Sequence, residues 1–166
     1  MTDGDGSNEP FYRLASTVRQ SQIILQSFER LLGRPLIANT GDAASGAKVL
    51  WEAPFAVLSH GTEADPVLNY ANAVALQLWE MPLAQLLATP SRLTAEPMAR
   101  EAREKLMSEV LRSGFMTGYS GVRIAATGRR FRIENVTIWN LSHPDGAFAG
   151  QAAAFDTWSD VTPPRV

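Results

Sequence analysis

The spacing of apolar residues changes period at Ser113-Gly114, and that change restricts the fold of this chain more than any other feature. Before it, AEPMAREAREKLMSEVLRSG repeats Met98, Ala102, Leu106 and Val110 every fourth residue, with Met107 and Leu111 beside them. This pattern predicts an amphipathic helix that stops at the Ser-Gly pair. Glu101 with Lys105, and Lys105 with Glu109, lie four apart on its polar face, so the charge run reads as a solvated surface. After Gly114 the period falls to two. GYSGVRIAA, RRFRIENVTIWNL and AFAGQAAAFDTW are three strands, divided by Thr127-Gly128 and by Ser142-His143-Pro144-Asp145-Gly146, and they predict an antiparallel meander. In the middle strand Phe131 and Ile133 point one way and Arg130, Arg132 and Glu134 the other, whereas Val136, Ile138 and Trp139 make both faces apolar farther on. Either that end of the sheet is covered on both sides, or a bulge near Asn135 shifts the register. The N-terminal helix is the natural cover for the outer face.

That helix is predicted over residues 11–33, from Phe11 to a stop at Gly33 followed by Pro35. Leu14, Val18, Leu25, Phe28 and Leu32 form its stripe, Ser21 is the skipped position, and Ile23, Ile24 and Leu31 widen it. Such a stripe serves the helix's own domain, a partner chain, or both, and it predicts a homodimer through Phe11–Leu32. Residues 34–50 are rich in Gly, Ala, Ser, Asn and Asp at their centre and read as a linker or exposed loop. PFAVLSHG and PVLNY are short apolar runs joined through the polar TEAD, a loose hairpin. Asn72 then caps a helix in which Val74 with Leu78, and Ala75 with Trp79, share a face. Pro82 suits the first turn of another short helix, and Pro90 follows its end.

Composition removes several classes of function. Fifteen basic and seventeen acidic residues give a net charge of −2, which offers no electrostatic footprint for nucleic acid or an acidic membrane surface. The absence of cysteine removes disulfides, thiolate nucleophiles and zinc-cysteine or iron-sulfur ligation. MTDGDGSNEP lacks the basic start and apolar run of a secretory signal, and no stretch approaches a membrane span. The chain reads as soluble and cytoplasmic, with residues 1–10 a disordered leader and 161–166 a tail.

The order of helix, two strands, three helices and three strands is that of a PAS domain. The words FAVLSHGTEADPVLNYANAVALQLWE, PSRLTAEP, GYSGVRI, GRRFRIENVTIWN and GQAAAF resemble the MEKHLA domain, a PAS-related family, over roughly residues 11–158. The resemblance implies an α+β fold: a PAS-like five-stranded antiparallel sheet with helices inserted between strands 2 and 3, plus the N-terminal amphipathic helix. The core is expected over residues 51–160. MEKHLA domains stand alone in bacteria and end plant homeodomain leucine-zipper transcription factors, so a regulatory or sensory role is implied and no reaction is. The literal string that names the family is absent, and no homeodomain or zipper precedes the domain in these residues.

LSHGTEADPVLNYAN places Ser59, His60, Glu63 and Asp65 close together, which raises hydrolytic and metal chemistry. Ser59 and His60 are neighbours on a strand and point to opposite faces, so they do not form a nucleophile and base pair, and no G-x-S-x-G elbow is present. His60 with Glu63 or Asp65 is the one acid/base pair the chain offers. His143, near Asp145, belongs to a turn by composition, and no histidine spacing supports a metal site. GDAASGAK lacks the order of a phosphate loop. What remains is a pocket between sheet and helices. Gly150, Ala152, Ala153 and Ala154 leave space that a ligand or a closely packed helix must fill. Trp79, Tyr119 and Trp139 are expected to line it, with Asn69, Arg123 and Gln151 as polar anchors. The favoured function is a sensory or regulatory module that binds a small molecule or a protein partner without catalysis. A pure interaction domain with a filled core, or a small enzyme using His60, are the alternatives.

Overall fold

The computed structural model describes residues 9–38, 40–96 and 100–161. The expected leader and tail therefore lie largely outside the described residues, as does Met98. After a 3-10 turn at Phe11–Arg13 come α1 (Ala15–Leu32), α2 (Ala43–Trp51), β1 (Ala56–His60), β2 (Leu68–Ala71), α3 (Ala73–Trp79) and α4 (Leu83–Leu86). A second 3-10 turn, Ser91–Thr94, leads to α5 (Arg100–Ser113), β3 (Phe115–Ile124), β4 (Arg130–Ser142), β5 (Phe148–Phe155) and β6 (Thr157–Asp160). The strands form one antiparallel sheet in the order β2-β1-β5-β4-β3, with the helices inserted after β2 as expected. The sixth strand continues the fifth. Thr137 faces Ala154 and Glu134 faces Thr157, so β5 and β6 pair with β4 in one register, interrupted at Asp156.

Both readings of the middle strand hold together. Asn135 has φ of 53°, and the side-chain alternation flips there. Phe131 and Ile133 before it, and Val136 and Ile138 after it, share the face toward α3, while Trp139 and Leu141 face α1. On β3, Gly118 has φ of 72° and supplies a matching extra residue. Met116 pairs with Ile138, Tyr119 with Val136 and Gly121 with Ile133, so one bulge on each strand restores the alignment.

α1 and α2 cover one face of the sheet. The face of α1 that is buried runs through Thr17, Ser21, Ile24, Ser27 and Phe28 rather than along Leu14, Val18 and Leu25. The skipped Ser21 is at its centre. The opposing sheet residues, Tyr70 and Trp139, are large, so small residues on the helix permit close approach, and the hydroxyls find partners. Ser21 donates to the Thr17 carbonyl at 2.8 Å, and Ser27 accepts from the Ser142 N–H at 3.0 Å. Trp139 Nε1 donates to the Ile24 carbonyl at 3.2 Å, and its ring meets Phe28 edge-on at 4.9 Å. Gly33 ends the helix in the left-handed conformation, as expected. The outward face carries Ser16, Arg19, Gln26, Glu29 and Arg30.

Two expectations are corrected. The stretch read as a loop within residues 34–50 contains α2, whose first turn is capped by Asp42 accepting the Ser45 N–H at 2.7 Å. That hydrogen bond holds the Asp42 carboxyl below its ordinary value. Alanine and glycine here are contact residues: Ala47 and Leu50 are buried, and Gly46 faces Leu25 of α1. The stripe on α5 is the other correction. Val110 is buried and its carbonyl accepts from Asn140 Nδ2 at 3.4 Å, but Met107 is 52% exposed and Leu111 81%. α5 is fixed to the sheet at its C-terminal end and does not lie flat on it.

Asn72 joins these parts. Its Oδ1 accepts from Val57 N–H at 3.0 Å and Ala75 N–H at 3.2 Å, and its Nδ2 donates to the carbonyls of Leu50 at 3.1 Å and Phe55 at 2.8 Å. Asn72→Ala leaves these groups buried without partners and is expected to cost about 3 kcal/mol in urea unfolding. Tyr70 is the reverse case: its hydroxyl is buried without a hydrogen bond among the described residues. Burial pushes its pKa well above the ordinary 10.0, opposed in part by nearby Ser21. Tyr70→Phe should stabilise by up to about 1 kcal/mol. The folded state retains a proton that the unfolded state releases, so wild-type stability should fall as pH rises beyond 10.0, and the variant should lack that component. Gly150, at φ of 117°, packs so closely on β1 that a Cβ would collide with the His60 carbonyl oxygen. Gly150→Ala should therefore destabilise by about 3 kcal/mol, read as a lowered midpoint in the same titration.

Candidate functional site

The face of the sheet away from α1 bounds a cavity of about 550 Å³. Its floor is Leu58 of β1, Ile133 and Ile138 of β4, and Ala153 and Phe155 of β5, which the flip at Asn135 brings onto one side. Its roof is Trp79 of α3, the segment Thr94–Glu96, and Leu106 and Met107 of α5. The small residues of β5 serve both purposes raised from sequence. Ala152 and Ala154 pack in the cluster under α1, and Ala153 opens toward the cavity.

Trp79 is a fixed wall. Its Nε1 donates to the Thr94 carbonyl at 3.2 Å, and its ring meets Phe131 at 5.1 Å and Phe155 at 6.1 Å, both edge-on. Arg129 fastens the end of α3 to the sheet edge: its guanidinium donates to the Leu78 carbonyl at 2.8 Å and pairs with Glu80 at 3.3 Å and Asp160 at 2.6 Å. Across the cavity, the Arg123 guanidinium lies over the Tyr119 ring, 5.6 Å from its centre. Gln151 stands beside His60 in the β1 and β5 register, and its Nε2 donates to Asn140 Oδ1 at 3.0 Å.

Of the residues expected from sequence, Trp79, Tyr119, Arg123 and Gln151 line the cavity, and Asn69 and Trp139 do not. Both are displaced by bulges. Ser59 pairs with Tyr70 and His60 with Leu68, so Asn69 is the unmatched residue of β2. Its Oδ1 accepts from the Ser59 hydroxyl at 2.5 Å and from Gln20 Nε2 at 3.4 Å, on the α1 side. Trp139 lies beyond Asn135, where the flipped alternation turns it toward α1 and gives its place to Ile138. The positive φ of Asn135 is the signal that exchanges these two, and asparagine is among the residues that most tolerate it.

His60 lines the cavity with its Nδ1 2.9 Å from the Gly61 carbonyl oxygen. The carboxylates near it in sequence are engaged elsewhere. Asp65 pairs with Arg92 at 3.1 Å, and Glu63 accepts the Val67 N–H at 3.3 Å. His143 lies in an exposed turn closed by the Gly146 N–H on its carbonyl at 2.9 Å. Among the described residues no group of histidine and carboxylate side chains could hold a metal ion.

The sequence profile of the MEKHLA domain family matches residues 18–160. The homeobox-leucine zipper protein HOX9 of rice is 26% identical over 139 residues, which is 83% of this chain and 16% of that protein. REVOLUTA of Arabidopsis thaliana, another homeobox-leucine zipper protein, is 26% identical over 126 residues, 75% of this chain and 15% of its own length. The chain thus spans about a sixth of these curated relatives. Among solved structures, a PAS domain from Colwellia psychrerythraea superposes with a TM-score of 0.56 at 17% identity, covering 70% of this chain and 93% of that one. An RNA-binding light-oxygen-voltage receptor superposes with a TM-score of 0.57 at 20% identity, covering 76% of this chain and 37% of its own. These likenesses establish a PAS-like fold. The profile match, which runs from α1 to the last strand, shows that the chain belongs to the MEKHLA domain family.

Proposed function

We propose that this domain is a sensory or regulatory module that binds a small molecule between the sheet and α3–α5 and carries out no reaction of its own. The observation that carries the reading is the cavity of about 550 Å³, a size suited to a small organic ligand, with an apolar floor and a few polar groups at its edges. Trp79 and Tyr119 supply aromatic surface, and Arg123 and Gln151, with His60, supply orientation. A binding role is supported by the contacts already made around His60: Asp65 is paired with Arg92, Glu63 accepts the Val67 N–H, and the His60 Nδ1 lies against the Gly61 carbonyl oxygen. The net charge of −2 favours a small molecule over nucleic acid as the bound species. No helix among the described residues is long and apolar enough to cross a membrane, and we place the activity in the cytoplasm.

Occupancy has a route to the surface. A ligand on the floor reaches Leu106 and Met107 of α5, the helix whose apolar residues are least covered by the rest of the chain. Filling the cavity gives that helix contacts it otherwise lacks. Protein purified from its own host should carry a reproducible additional mass in native mass spectrometry, and Ala153→Phe, which fills the floor, should remove it. A clean apo mass, joined to an unchanged melting temperature across a library of small metabolites, would refute the proposal.

A further inference from the structure

The cavity has one chemically distinct corner. On β3, Tyr119, Gly121 and Arg123 alternate onto the same face, opposite Val136, Ile133 and Phe131 of β4. Gly121 is not in the left-handed region, so its backbone does not demand glycine. What it supplies is space. The Tyr119 hydroxyl and Arg123 Nη1 lie 2.8 and 3.2 Å from the point where a Cβ on Gly121 would stand, so the two polar heads fold inward over a bare stretch of strand. Both can donate hydrogen bonds.

The charges around this corner are unequally satisfied. Asp65 is paired with Arg92, and Glu96, also at the cavity, is paired with Arg130. Arg123 forms no ion pair among the described residues; its contacts are the Val122 carbonyl at 3.3 Å and the Tyr119 ring. A guanidinium held at the edge of an apolar space, with a phenol hydroxyl beside it, gains most from an anionic oxygen that both can reach. The neighbouring floor, Ile133 and Phe155, accepts hydrocarbon or an aromatic ring.

We infer that the ligand is an amphipathic organic anion, its carboxylate or equivalent acid group held by Arg123 and Tyr119 over Gly121 and its apolar body on Ile133, Ile138 and Phe155. This rests on the cavity being a binding site, and it adds the class of molecule. Gly121 is then a specificity determinant, since a methyl group there would push the two heads apart while meeting only the ends of flexible side chains.

Two fluorescent probes with the same rings separate the claims: anilinonaphthalene sulfonate, which is anionic, and phenylnaphthylamine, which is neutral. The wild-type chain should bind the sulfonate more tightly. Arg123→Gln and Gly121→Ala should each weaken it about tenfold and leave the neutral probe within about twofold. Arg19→Gln, which removes the same charge from the outward face of α1 on the other side of the sheet, should leave the preference in place. Ala153→Phe should block both probes. Equal affinity for the two probes, or equal loss of both in Arg123→Gln, would overturn the anion assignment while the cavity stands, provided Ala153→Phe still blocks binding. Failure of both probes to bind, or binding of both unaffected by Ala153→Phe, would overturn the cavity reading and the anion assignment together.

Discussion

The amide of Asn72 is the joint on which the two layers depend. One buried side chain holds the backbone of β1, the carbonyl at the end of α2, the carbonyl that precedes β1 and the first turn of α3. Helix-capping residues usually spend one oxygen on one N–H. Here both ends of the amide are used, so the start of α3, which roofs the cavity, and the end of α2, which covers the opposite face, are positioned by the same atoms. An aspartate would keep the acceptors and lose the donors, and a serine would lose reach. The geometry of the cavity side is thereby coupled to the packing of the α1 and α2 side.

The helical side is unusual in what it buries. A serine- and threonine-lined seam on α1 lies against Trp139 and Tyr70, and its two serine hydroxyls, of Ser21 and Ser27, are tied to backbone groups. Volume is shared so that the sheet contributes the bulk and the helix contributes closeness. The opposite face divides the work differently: large residues line the edges, Ala153 leaves the centre open, and α5 is attached mainly at one end. A close-packed layer and a loosely closed one share the same strands.

Much of this was legible in the sequence because it is local. Strand alternation, the turn at His143–Gly146, the Asn72 cap and the stop at Gly33 are each written within a few residues, and family resemblance implies the single antiparallel sheet with helices inserted after its second strand. What was not legible depends on a single residue acting at a distance. Asn69 and Trp139 are expected at the pocket, and each is turned away from it by a bulge that no local pattern announces. α2 reads as a loop because alanine, serine and glycine signal flexibility when nothing is known to lie beside them; against α1 they are the residues that fit. The buried stripe of α1 escaped for a related reason, since hydrophobicity marks it less well than size does.

Gly118 on β3, Asn135 on β4 and Asp156 at the junction of β5 and β6 lie at about the same level, and the irregularities cancel: β3 with β4, and β4 with the β5 and β6 line, come out of the crossing in step. They form a crease across the sheet, and the floor of the cavity is assembled from odd-numbered residues of β4 on one side of it and even-numbered residues on the other. Chain length is therefore unevenly constrained in this part of the molecule. The turn at His143–Ala147 can lengthen or shorten with little consequence for the pleat. Losing or gaining one residue at the crease acts as a frameshift in three dimensions, and it is silent only when the adjoining strands change by the same amount.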